Sequence, residues 1–170
     1  MRIFDHRRPK QMAAESALQD KLNKYDRRHG YRGAEFHRLD GSDEYLAAPE
    51  YGYPENFVNT LKKAIILGDQ YPGIVLDVRE QEFDVLTQGL ELITIAWDGM
   101  SWARPYINVN TRGPKPKFAA DIVSTGDLIR YEQNEDSSTA LGQVPNIQGA
   151  LVSLEPPNGA ILALVGGYDF

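Results

Sequence analysis

The sequence predicts a mainly β chain with flanking helices, and three observations lead there. Between Tyr71 and Val144, short apolar stretches alternate with turn residues, the grammar of closely spaced strands. Ahead of them, two stretches carry apolar residues at helical spacing behind a proline. Behind them, Gln148–Phe170 sets two apolar runs around Pro156, Pro157, Asn158 and Gly159, and an Asn-Gly pair in that setting is a strong hairpin signal.

The bulk properties are compatible with this. A chain of 170 residues holds one ordinary domain, or a small domain with pieces of another. An apolar fraction of 42% and a charged fraction of 25% belong to a folded globular protein. With no cysteine, a disulfide framework, thiolate metal sites and a cysteine nucleophile are excluded, and the redox compartment is left open. No run approaches the roughly 18 apolar residues of a membrane span. Met1 is followed by RIFDHRRPK, which is not an apolar signal core. Any export signal or anchor of a longer parent is therefore expected outside this stretch.

Taken in order, Pro9 suits the first turn of a helix, and Ala14, Leu18, Leu22 and Tyr25 recur as one apolar stripe. Arg27, Arg28 and His29 fit a last turn and Gly30 the position beyond it, so a helix is predicted from about Pro9 to Arg28. Tyr31–Tyr53 has little periodicity and several breakers, and reads as a long irregular connection. Its Tyr45, Tyr51 and Tyr53 form either a stacking surface or pins holding the loop to the body. Pro54 opens a second helix with Phe57, Val58, Leu61, Ala64 and Ile65 on one face, expected to pack as cover, and Gly68 lies beyond its end.

The strand region then begins. Ile74, Leu76 and Val78 alternate along a first strand, Phe83 and Val85 mark a second, and Leu92–Trp97 a third with Ile93, Ile95 and Trp97 on one face. Asp98-Gly99 signals a turn into a fourth strand, Trp102–Val109. The prolines of RGPKPK exclude Arg112–Lys117 from any interior strand. A short helical piece is expected over Phe118–Val123, then strands over Leu128–Gln133 and Leu141–Val144. Short strands, close turns and a small helical insert fit a small antiparallel barrel of the OB kind, with a two-sheet sandwich as the alternative. The terminal hairpin shows almost no polar alternation, so both of its faces are expected to be buried, under the N-terminal helix, a neighbouring molecule or chain outside this stretch.

Net charge is −6, unevenly placed. Residues 1–30 carry eight Lys/Arg against four Asp/Glu, whereas Tyr71–Pro145 carries six against eleven. A nucleic-acid groove wants the opposite sign on its reading domain, which argues against the nucleic-acid-binding OB module that the fold alone would permit.

Motifs for catalysis are few. His6, His29 and His37 lack ligand spacing and read as scattered surface histidines. Glu80, Glu82 and Asp84 sit beside a tight turn and read as a solvated hairpin face rather than an acid–base pair. Gly166-Gly167 lacks the strand, loop and helix order that cradles phosphate. No serine stands in S-x-x-K or G-x-S-x-G, and S-D-N and K-T-G are absent. Trp97, Trp102, Arg104 and Tyr106, in WDGMSWARPY, combine aromatic anchors with a guanidinium. They form either a partner-binding surface or the filling and mouth of the barrel.

Four stretches carry a family resemblance: YDRRHGYRG from Tyr25, WDGMSWARPY from Trp97, AADIVSTGDLIR from Ala119 and GALVSLEPPNGAILALVGGYDF from Gly149. The chain from about residue 8 onward resembles class A penicillin-binding proteins of the 1a type. The resemblance implies residues 1–30 as a helix segment flanking a transpeptidase, 31–146 as an inserted OB-like domain, and 147–170 as the first hairpin of that transpeptidase. In the family the catalytic serine of S-x-x-K follows this hairpin and the glycosyltransferase glutamates precede the helix, so no catalytic residue carries over. Expected, then, is a non-catalytic regulatory or docking domain of a bifunctional peptidoglycan synthase, without cofactor. Its implied place is the periplasmic side of the bacterial inner membrane. The implied partners are an outer-membrane lipoprotein activator, other cell-wall synthesis proteins, or peptidoglycan itself.

Overall fold

A computed structural model describes residues 7–37, 39, 52–134 and 137–168, which leaves His6, Tyr45 and Tyr51 outside the described residues. Its contacts divide the chain into two units, Met1–Arg28 with Pro145–Phe170, and His29–Val144.

In the first unit, α1 runs Arg7–Arg27. Ala14, Leu18 and Leu22 of the expected stripe are buried, but Tyr25 is 49% exposed and the stripe continues through Asp26 instead. The reason is local: the Asp26 carboxylate accepts the backbone N–H of Asn146 at 3.2 Å, so a polar residue meets the returning chain where an apolar one would leave that donor unpaired. Against α1 lies the predicted hairpin, β8 Ala150–Leu154 and β9 Ile161–Gly166. It pairs Ala150 with Gly166, Val152 with Leu164 and Leu154 with Ile161, and slips register between Ser153 and Leu154. Gly159 takes φ +70° in the connecting loop, and the Asn158 side chain accepts the N–H of Ala160, the work expected of that Asn-Gly pair.

The expectation that both hairpin faces are buried is corrected. Residues directly opposite in an antiparallel pair share a face. Val152, Leu154, Ile161 and Leu164 are all more than half exposed, while Ala163 is buried and Leu151 and Val165 are half-buried. Within this unit one face is covered and the other, equally apolar, is open. The free edge of β9 is also closed beside α1, because the Gln11 side-chain amide donates to the Leu164 carbonyl and accepts its N–H, at 2.9 and 3.1 Å.

In the second unit, α2 (Glu55–Lys63) precedes a five-stranded antiparallel sheet in the order β3-β2-β1-β6-β7. The strands are β1 Tyr71–Val78, β2 Glu82–Thr87, β3 Leu92–Ala96, β6 Leu128–Gln133 and β7 Thr139–Gly142. The sheet curls into a half-barrel, and its two edge strands meet where the Thr139 hydroxyl donates to the Thr94 carbonyl at 2.9 Å. Tyr31, Val75, Phe83, Val85, Ile95, Met100, Ile129 and Leu141 fill the inside. On the outer face Phe57 and Leu61 of α2 pack on Ile74, Leu86 and Leu128, with Tyr53 beside them as a pin. Burying Phe57 and Leu61 contributes roughly 1.5–3 kcal/mol each. The Gln88 side chain donates to the carbonyls of Leu61 and Ala64 and ends the helix, which leaves Ile65 65% exposed rather than on the packed face.

Other expectations also shift. Trp97 opens a four-residue helix, α3 (Trp97–Met100), instead of ending β3, and Trp102–Val109 is not one strand. Only β4 (Tyr106–Asn108) is extended, paired with β5 (Thr111–Arg112) in a separate two-stranded sheet. The expected helical piece is a 3-10 turn at Ala119–Asp121, and the last strand lies at Thr139–Gly142 rather than Leu141–Val144.

Candidate functional site

An isolated two-stranded hairpin is marginal in water, so β4–β5 needs anchors at its base. They come from Tyr31 and Arg104. The Tyr31 N–H donates to the Arg104 carbonyl at 2.7 Å, and the Tyr106 N–H donates to the Tyr31 carbonyl at 2.8 Å. Opposite, the Gly113 N–H donates to the Pro105 carbonyl at 2.7 Å, and Arg104 Nε donates to the Gly113 carbonyl at 2.8 Å. Gly30, at φ +108°, lets the chain reach Tyr31 so closely that a Cβ there would stand 2.7 Å from the Arg104 carbonyl oxygen. At the tip the Asn108 side chain accepts the N–H of Asn110.

The four residues singled out in the sequence fall in one neighbourhood but at different depths. Trp97 and Trp102 are half-buried against the barrel interior, and the Trp102 ring stands edge-on to Tyr31, centroids 5.9 Å apart. Arg104 is half-buried with its Nε committed to Gly113. Tyr106 is 39% exposed and lies opposite Arg112 in the hairpin. Sequence reasoning missed Ile107 and Val109, which are 57% and 68% exposed at the hairpin's end. The sequence carries a signal for this: Asn108, Val109 and Asn110 make an Asn-x-Asn turn at the end of the run expected as one strand.

The electrostatics of this stretch differ from its surroundings. His29–Val144 holds ten Lys/Arg and eighteen Asp/Glu, yet Met100–Ala120 holds Arg104, Arg112, Lys115 and Lys117 with no carboxylate. At the turn between β1 and β2 several carboxylates gather around one guanidinium. Arg79 reaches Asp77, Glu82 and both oxygens of Asp84, and the Thr94 hydroxyl donates to Asp84 at 2.6 Å. These bonds, Arg79's first, hold the Asp84 carboxyl below its usual range. Of the acidic series Glu80, Glu82 and Asp84, the last two thus share a basic partner, Arg79, that their sequence context did not suggest.

Beneath the hairpin, Tyr31 is buried beside Asp127 and Glu35, and burial first, then those charges, pushes its hydroxyl well above the ordinary tyrosine range. Arg130, 6% exposed, forks onto both oxygens of Glu35 at 2.7 and 2.9 Å and ties the segment after Tyr31 to β6. Gln143 accepts the Arg32 N–H at 2.7 Å and donates to the Gly30 carbonyl at 3.1 Å, so the two ends of this unit are clasped side by side. Among the described residues no three metal-capable side chains converge. What the neighbourhood offers is an exposed apolar and cationic surface.

With this geometry in place, the comparisons with known proteins are specific. The family model for the penicillin-binding protein OB-like domain matches residues 31–147. The chain belongs to the penicillin-binding proteins, and the curled half-barrel with its clasped ends is their OB-like domain. More particularly, it is similar to penicillin-binding protein 1A of Pseudomonas aeruginosa, 38% identical over 160 residues, and of Vibrio cholerae, 36% identical over 164 residues. Each match covers 94% of this chain, and 18% and 19% of the relatives. The crystal structure of penicillin-binding protein 1A from Haemophilus influenzae superimposes with a TM-score of 0.67 at 31% identity, over 94% of this chain and 21% of that one. The chain therefore spans about a fifth of the length of the proteins it matches.

Proposed function

We propose that this chain is a non-catalytic docking and spacer segment of a bifunctional peptidoglycan synthase. The observation that carries the reading is the clasp of Gly30 and Arg32 onto Gln143, which makes the OB-like domain an excursion that leaves and returns at one place. An insertion closed in this way can be recognised by a partner without threading strain through the rest of the protein. The absence of S-x-x-K, S-D-N and K-T-G supports a segment without acyl-transfer chemistry of its own. Its partner is an outer-membrane lipoprotein activator, met on the periplasmic side of the inner membrane. Among the described residues no helix is long and apolar enough to cross a membrane.

The test is an excision. In the full-length synthase, residues 31–144 are replaced by a short Gly/Ser linker. Basal penicillin acylation is expected to persist while stimulation by the activator is lost. Stimulation that survives the excision, or labelling of the isolated chain by a fluorescent penicillin, contradicts the proposal.

A further inference from the structure

We infer that the β4–β5 hairpin is the docking element of this domain, and that it seats on a protein surface whose apolar centre is rimmed by carboxylates. The inference rests on the docking function proposed above and assigns it a place and a chemistry. Ile107 and Val109 are held out in water at the end of a hairpin fixed at its base by four hydrogen bonds through Tyr31, Arg104 and Gly113. Aliphatic side chains on a marginal element would gain from folding inward, so a backbone that holds them outward marks a contact surface. Because the base is already ordered, little entropy remains to be lost on binding.

Charge selects the occupant. Among the described residues Arg112 and Lys115 make no ion pair within 4 Å, while Arg104 Nε donates to the Gly113 carbonyl at the hairpin's base. A carboxylate-free stretch of twenty-one residues inside an acidic domain complements a partner's local acidic rim. An anionic membrane would also attract it, but a planar surface that receives the hairpin also faces neighbouring parts of a unit with eight excess negative charges. A glycan strand offers carboxylates without the apolar area that Ile107 and Val109 require. A folded protein supplies both.

The test uses the whole chain and two double variants at exposed positions, Ile107→Ser with Val109→Ser, and Arg112→Glu with Lys115→Glu, each checked for an unchanged unfolding midpoint. The probe is the soluble part of the outer-membrane lipoprotein activator of the same bacterium, measured by biolayer interferometry. Both variants are expected to weaken binding about tenfold or more, a few lost contacts at a small interface. The charge-reversal effect should shrink between about 0.05 and about 0.5 M salt as screening shortens. Equal binding by wild type and both variants overturns the hairpin assignment alone, leaving the docking function in place. So does a loss that appears only on intact sacculi or anionic vesicles. No binding of the activator by wild type overturns both.

Discussion

At the scale of single residues, Tyr31 does the most with the least sequence signal. Its backbone pairs with the hairpin base, its ring meets Trp102 and fills the barrel, and its hydroxyl has no hydrogen-bond partner among the described residues. Tyr31→Phe is therefore expected to leave stability at neutral pH unchanged or raise it by up to about 1 kcal/mol, read from urea unfolding. The sign of the pH effect follows from its raised folded-state pKa: the neutral form is favoured, so the stability is complete below pH about 10 and is lost as pH rises above that. The variant should show a flatter alkaline limb. Asp84 works in the opposite direction. Its lowered folded-state pKa gives stability that is present above pH about 4 and lost as pH falls through the folded value, so Arg79→Met should flatten the acid limb of the same curve. Gly30→Ala combines a left-handed φ with a clash on a backbone oxygen and should cost about 1–3 kcal/mol, with loss of order at the hairpin seen as faster amide exchange across Tyr106–Arg112. None of these roles is periodic, which is why sequence pattern did not assign them.

At the scale of elements, the sequence was most legible where neighbours along the chain decide the outcome. Helix α1, β6 and the turn at Asn158-Gly159 depend on spacing and local backbone preference, and they fall where those put them. Trp102–Val109 departs from the single strand its pattern predicts because Tyr31, far away in sequence, bridges to Pro105 and interrupts the run. The terminal hairpin was legible as a hairpin but not in its exposure, since period-2 patterning reports what a face is made of and not what stands over it. Its open face yields a contrast. Leu164→Ser, on that face, should change stability by no more than about 0.5 kcal/mol, whereas Leu22→Ala, under the covered face, should cost about 2–3 kcal/mol in the same denaturation experiment. Comparable losses at both positions would show that the open face is covered after all.

At the scale of the whole molecule, the chain contains two units with different claims on function. Met1–Arg28 with Pro145–Phe170 carries, among its described residues, one helix, one hairpin and an apolar face left uncovered within the unit. His29–Val144 carries a closed interior and clasped ends, the condition of a domain complete in itself. Family membership was legible because short motifs such as WDGMSWARPY and GALVSLEPPNG are specific. Composition marked the aromatic cluster Trp97, Trp102, Arg104 and Tyr106, but not its depth: Tyr106 is exposed and the tryptophans are half-buried, because burial depends on Tyr31 and the barrel packed beneath them. If docking runs through the hairpin as proposed, an acidic domain with a cationic, apolar projection among its described residues binds by a small and salt-sensitive contact rather than by a broad surface.

The most direct test of docking without catalysis is an isothermal titration of the purified chain with the soluble part of the outer-membrane lipoprotein activator. A saturable one-to-one heat that weakens with added salt is the predicted result. No heat at any salt, with the chain shown to be folded, would contradict it.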